Sequence, residues 1–175
     1  MSKAVFLDRD GVINEVLSDR VKYVNKPQDL YFLPSVKKAI KELHEAGYLL
    51  FVITNQGGVG LGYMTDQDLI DIHDKMVYEL EKSGGKITEV KACVHHPHSG
   101  CACRKPKPGM ILDLVKQYNI DVSKSYMIGD REVDLEAGNA AGLKSLMVSD
   151  QSDLAVQSFE DLGEAAEWII SQENS

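Results

Sequence analysis

The sequence predicts an α/β fold in which a central parallel sheet carries helices on both faces, built as a single domain over residues 1–175. Three observations predict it. Short apolar runs alternate with longer segments of helical period. The run 48–53 is apolar throughout and has no polar face, as expected of a strand in a sheet covered on both sides. Polar residues follow directly on the ends of three runs. A chain of 175 residues is long enough to bury one large core.

Val5-Phe6-Leu7 is the first strand, ending at Asp8. Val36, Ala39, Ile40 and Leu43 then recur at i, i+3, i+4 and i+7, an amphipathic helix with Ser35 in place to cap it and Gly47 to end it. The apolar stretch 48–53 is the second strand. Thr65 opens a second helix with Leu69, Ile72, Met76 and Leu80 on one stripe. Residues 90–94 form a third strand, followed by an irregular stretch rich in His, Cys, Pro and Lys. Pro108 starts a helix in its first turn, where a missing N–H costs nothing. Residues 126–128, 133–141 and 146–148 supply strand, helix and strand, and 162–170, including Trp168, a closing helix. Right-handed crossovers join the strands.

The hydrophobic fraction of 43% and charged fraction of 26% belong to a soluble globular chain. A net charge of −8 argues against a nucleic-acid partner, because binding a phosphate backbone requires a positive surface. A small anionic substrate is still compatible where a cation and local donors override the global field. No apolar run approaches the roughly 20 residues of a bilayer span, and the N-terminus lacks a signal-peptide pattern. The expectation is a cytoplasmic monomer with no membrane partner. Cys93, Cys101 and Cys103 are an odd number for a reducing compartment, which argues against a disulfide framework.

The ligand crevice of an open parallel sheet lies beyond the carboxyl ends of its strands. Those ends carry Asp8 and Asp10, then Thr54 and Asn55, then Gly129 and Asp130. Each pair has a plain structural reading. Asp10-Gly11 suits a turn, Thr54-Asn55 a loop, and Asp130 a helix cap. Three such outcrops on one edge point instead to a site. The chemistry that uses this set is phosphoryl transfer, in which a carboxylate attacks phosphorus and divides one difficult displacement into two. A magnesium ion would let two neighbouring acids stay ionised, with Asp130 completing its oxygen cage. The acid at i+2 can then protonate the leaving alkoxide and later deprotonate water.

The segments "DRDGVIN", "TNQ", "RKPKPGM" and "GDREVD" resemble the four motifs of the haloacid dehalogenase (HAD) superfamily of phosphatases, a resemblance that spans nearly the whole chain. It implies a three-layer α/β/α, Rossmann-like fold. It also implies that Asp8 is the nucleophile, that Asp10 is the general acid/base, and that Thr54 and Lys105 hold the phosphoryl oxygens. Asp8, the backbone carbonyl of Asp10, and Asp130 would ligate magnesium. Asn55, Gln56, Arg104 and Arg131 would contact the substrate. Asp134 would stand behind the metal or support Lys105. Lys107 competes with Lys105 for the cationic role, and the motif favours Lys105.

Cys93, His95, Cys101 and Cys103 flank a short connection, and three thiolates with one imidazole make a closed tetrahedral zinc set. The plain alternative is idle cysteines beside surface histidines. The pattern "CVHHP" then "CACRKP" resembles the zinc loop of the D-glycero-D-manno-heptose 1,7-bisphosphate 7-phosphatases, shared with the histidinol-phosphate phosphatases. That resemblance assigns His95 to the metal and leaves His96 and His98 to loop structure. Zinc would fasten the loop bearing Arg104 and Lys105, with Arg104 as the fork for a second anionic group. With 19 residues between Asn14 and Pro34 and ten between Thr54 and Thr65, no lid domain fits. The site is expected to be capless, covered by loops 16–24 and 57–63, the first a few residues longer than the family pattern. The implied activity is removal of the 7-phosphate of a heptose bisphosphate. Histidinol-phosphate hydrolysis is the alternative within the same chemistry, and a phospho-accepting receiver-like signalling domain the alternative of another class.

Overall fold

A computed structural model describes residues 1–174. Six parallel strands form one sheet: β1 (Ala4–Leu7), β2 (Leu49–Asn55), β3 (Glu89–Cys93), β4 (Tyr126–Gly129), β5 (Lys144–Val148) and β6 (Gln157–Phe159). Five helices connect them: α1 (Val36–Glu45), α2 (Asp66–Lys82), α3 (Gly109–Tyr118), α4 (Glu132–Ala140) and α5 (Leu162–Glu173). The strand order is β3-β2-β1-β4-β5-β6. The chain therefore winds outward from β1 to β3, returns to the centre, and lays β4 against the other side of β1. That reversal between β1 and β4 opens a crevice at their carboxyl ends.

Alternation along each central strand divides the apolar side chains between two cores. Val5 and Leu7 of β1, Leu50 and Val52 of β2, and Tyr126 and Ile128 of β4 face α1, α2 and α5. Ala4, Phe6, Phe51, Ile53 and Met127 face α3 and the C-terminal half of α4. Phe6 stacks on Phe51 with ring centroids 5.1 Å apart. Both faces are covered, so these strands have no polar side.

The helix stripes match their predicted faces, with Val36, Ala39, Ile40 and Leu43 buried on α1 and Leu69, Ile72, Met76 and Leu80 on α2. Thr65 closes a capping box: its Oγ1 accepts from the Asp68 N–H at 3.0 Å while its own N–H donates to Asp68 Oδ2 at 2.9 Å. Ser35 differs. It holds the N-cap position of α1, but its backbone is left-handed at φ 66° and its hydroxyl makes no cap bond; the side chain lies against Gly163 instead. Pro108 stands one residue outside α3, at the N-cap. Strand β6 was not expected, because Gln157 is exposed, Ser158 and Phe159 are half-buried, and only Phe159 is apolar. No inserted domain lies between the strands among the described residues; a short 3₁₀ turn, Pro27–Asp29, interrupts the long β1–α1 connection.

Candidate active site

Asp8 is the first residue beyond β1, and its N–H bonds the Ile128 carbonyl at 3.0 Å, which keeps the end of β1 against β4. The backbone then curls, the Arg9 carbonyl accepting from the N–H groups of Val12, Ile13 and Asn14. Gly11 sits in this curl at φ 85°, and a Cβ there would lie 1.9 Å from Asp130 Oδ2. Glycine is thus what admits Asp130, the residue following β4, to the side of Asp8. Asp8, Asp130 and Asp134 each bring a carboxylate oxygen within 4.8 Å of the others.

One buried ammonium bridges two of these acids, Asp8 and Asp134. Lys105 is buried, and its Nζ donates to Asp8 Oδ1 at 2.9 Å, Asp134 Oδ1 at 2.7 Å and the Ile53 carbonyl at 2.9 Å. Its backbone is clasped by Asn55, whose Oδ1 accepts from the Lys105 N–H at 3.0 Å and whose Nδ2 donates to the Lys105 carbonyl at 3.1 Å. Asp134 uses its other oxygen to cap α4 through the Arg131 N–H at 3.2 Å. Lys107 turns away, its ammonium on the Cys101 carbonyl at 2.6 Å.

Charge is unbalanced here. Burial pushes the Asp8 carboxyl well above the ordinary range; Lys105 pulls it back, and Asp134, Asp130 and Asp10 push it further up. Asp130 is raised too, first by burial and then by Asp134. Burial alone would lower Lys105, but the charges of Asp8 and Asp134 outweigh it and hold the ammonium protonated. Asp130 Oδ1 is buried without a hydrogen-bond donor. An excess of carboxylate oxygens with one unpartnered is the donor set of a hard divalent cation, and these residues fit magnesium.

The second acid occupies a different setting. Asp10 Oδ1 accepts from Arg9 Nε at 3.0 Å, Arg9 Nη2 at 2.8 Å and Asn14 Nδ2 at 2.9 Å. Its Oδ2 accepts from Gln56 Nε2 at 3.1 Å, and the same amide donates to Thr54 Oγ1 at 2.8 Å. Burial raises Asp10, but Arg9, with the hydrogen bonds from Asn14, Arg9 and Gln56, brings it below the ordinary carboxylate range.

The cysteine cluster sits at the end of β3. Cys93, His95, Cys101 and Cys103 place their ligand atoms within 4.8 Å of one another, and His95 Nδ1 lies 3.1 Å from Cys103 Sγ. Cys93 is buried while His95 is exposed. Three sulfurs and one imidazole nitrogen converging this closely fit zinc. The neighbouring Arg104 lies over Gly57, where a Cβ would stand 3.3 Å from its Nη1. That Nη1 is buried without a hydrogen-bond partner.

Comparison with known proteins places this geometry. The HAD-hydrolase-like family profile matches residues 102–163. A "D-glycero-beta-D-manno-heptose-1,7-bisphosphate 7-phosphatase" of Rhodopseudomonas palustris is 43% identical over 147 residues, covering 80% of this chain and 79% of the relative. A relative of the same name from Helicobacter pylori is 37% identical over 173 residues, covering 96% and 97%. The chain belongs to the HAD-like phosphatases. A crystal structure described as the D,D-heptose 1.7-bisphosphate phosphatase of B. bronchiseptica, complexed with magnesium and phosphate, superposes with a TM-score of 0.89 at 34% identity, covering 97% of this chain and 99% of that one.

In this HAD-like phosphatase the fold brings Asp8, Asp10, Thr54, Asn55, Gln56, Lys105 and Asp130 to one strand edge. Arg131 stands beside it at the N-cap of α4, solvent-exposed. The sequence reading did not single out Arg9, Asn14 or His73. Arg9 is completely buried, and its Nη1 meets His73 Nε2 at 3.0 Å. One signal was available for His73: it falls on the apolar stripe of α2 between Leu69 and Met76, where a polar side chain requires a partner.

Proposed function

We propose that this phosphatase is a magnesium-dependent phosphomonoesterase that removes the 7-phosphate of D-glycero-D-manno-heptose 1,7-bisphosphate through a phosphoryl ester on Asp8. The observation that carries the chemistry is the pairing of Asp8 with Lys105 beside the unpartnered Asp130 oxygen. The names of the relatives support the substrate. Membership of an enzyme family speaks against the signalling-domain alternative.

Asp8, the backbone carbonyl of Asp10, and Asp130 would hold magnesium. The bound ion supplies charge that keeps Asp8 ionised and offsets that of the incoming phosphate. In the first half-reaction an Asp8 oxygen bonds to phosphorus while the bond from phosphorus to the leaving oxygen breaks. Asp10 gives its proton to that oxygen. Asp10 must first be protonated, and a phosphate dianion arriving beside Oδ2 favours this by like-charge repulsion. In the second half Asp10 takes a proton from water as water attacks phosphorus and Asp8 is freed. Lys105 and Thr54 orient the phosphoryl oxygens, the fixed ammonium meeting charge where it spreads. Asn55 acts by pinning Lys105, and Gln56 by linking Thr54 to Asp10. Arg131 reaches the substrate from the rim, and the Arg104 guanidinium offers a fork for its second phosphate. Cys93, His95, Cys101 and Cys103 would hold zinc and so fasten the Arg104–Lys105 loop.

A phosphate-release panel tests this reading, comparing both heptose bisphosphate anomers, histidinol phosphate and simple sugar phosphates with magnesium and with chelator. The expected result is magnesium-dependent release that is fastest with a heptose bisphosphate. Faster release from histidinol phosphate would reassign the substrate, and release that persists undiminished in chelator would overturn the metal's role.

A further inference from the structure

Arg9 and His73 have no part in the mechanism above, yet the structure invests a buried cation in them. The guanidinium of Arg9 is wholly inaccessible, so each of its donors requires a protein acceptor. Nε and Nη2 converge on a single oxygen, Asp10 Oδ1, which also receives Asn14 Nδ2. Three N–H donors saturate the lone pairs of that oxygen. Oδ2 has one donor, the 3.1 Å bond from Gln56. A proton on Oδ1 would face three others; a proton on Oδ2 displaces one long bond.

We infer that Arg9 and His73 are positioning residues that hold Asp10 Oδ1 out of proton exchange, leaving Oδ2 as the oxygen that trades protons with the leaving group and with water. This rests on the reading of Asp10 as the acid/base. His73 enters because Nη1 lies 3.0 Å from its Nε2. Guanidinium only donates, so Nε2 accepts and the ring proton is on Nδ1. Burial, together with the Arg9 charge, lowers the imidazole to about 3, so the ring stays a neutral acceptor at working pH. Helix α2, fixed by its capping box, thereby aims the guanidinium at the acid end of β1. Without an acceptor at position 73, Nη1 must seek another partner and the Nε/Nη2 fork leaves Oδ1.

The test compares His73→Leu and His73→Gln with the natural chain, each checked for folding by circular dichroism, on two esters in magnesium. The sugar phosphate has an alkoxide leaving group that needs a proton; 4-nitrophenyl phosphate has a leaving group that does not. The kcat/KM ratio of sugar phosphate to nitrophenyl ester should fall about tenfold in His73→Leu, as expected when a catalytic acid is misplaced rather than removed. It should return to within about threefold in His73→Gln, whose amide oxygen supplies the lost acceptor. Equal losses on both esters, an unchanged ratio, or a glutamine variant as impaired as the leucine one would overturn the inference. A natural chain that hydrolyses neither ester would instead remove the phosphatase reading, and the inference with it.

Discussion

Asp8 and Asp10 stand two residues apart and are given opposite environments. Asp8 is buried among acids with one lysine, which raises its proton affinity, whereas Asp10 is held by a guanidinium and two amides, which lower it. The acids were legible because three polar outcrops share one sheet edge, although each alone has a plain structural reading, whereas Lys105, in the loop between β3 and α3, was legible only through the segment "RKPKPGM". Arg9 was not, because an arginine between two aspartates reads as a solvated charge until the fold buries it. The carboxylate excess also has a measurable consequence at Asp130. Replacing Asp130 by Asn keeps the shape and removes one repelling charge, so in metal-free buffer the variant should unfold about 2–4 °C above the natural chain, the shift of roughly 1 kcal/mol in a domain of this size. Magnesium should raise the midpoint of the natural chain and leave that of Asp130→Asn unmoved. Equal magnesium shifts in thermal melts of the two proteins would remove Asp130 from the metal site.

Among the elements, the helices were the most legible. Four buried residues recur at the expected spacing on each of α1 and α2, and the Thr65 box marks where α2 begins. Legibility failed where local rules gave way to packing. Ser35 is a good capping residue type, but its left-handed backbone turns the hydroxyl toward Gly163. Edge strand β6 buries too little to show an apolar run. The cysteine–histidine cluster in the loop from Cys93 to Lys105, which fits zinc and would fasten the loop through it, was legible, but not a second fastening, the two hydrogen bonds between Asn55 and the Lys105 backbone. The two fastenings predict a graded response. Cys101→Ser should lose zinc by elemental analysis and make the 94–104 segment exchange amide hydrogens faster, while the Asn55 clasp keeps Lys105 protected. Full zinc retention, or unchanged exchange after zinc loss, would refute the fastening role.

For the whole molecule, the architecture explains why the site is where it is. Strands β1 and β4 are neighbours only because the chain reverses direction across the sheet after β3, and that reversal puts Asp8 and Asp130 together from positions far apart in sequence. Alternating apolar runs and helical periods revealed the layers and the edge on which the polar residues gather. They did not reveal the strand order, which depends on which crossovers the packed helices complete. No inserted domain stands over this edge among the described residues, so on the proposed reading the substrate meets a crevice covered by loops rather than by a lid domain. On the proposed mechanism this crevice makes a bond between Asp8 and phosphorus. Rapid acid quenching of the enzyme turning over its substrate, followed by borohydride reduction and peptide mass spectrometry, tests it most directly, because an aspartyl phosphate is reduced to homoserine. Homoserine is expected at position 8. Phosphate release with position 8 left as aspartate, or reduction at another carboxylate, would contradict it.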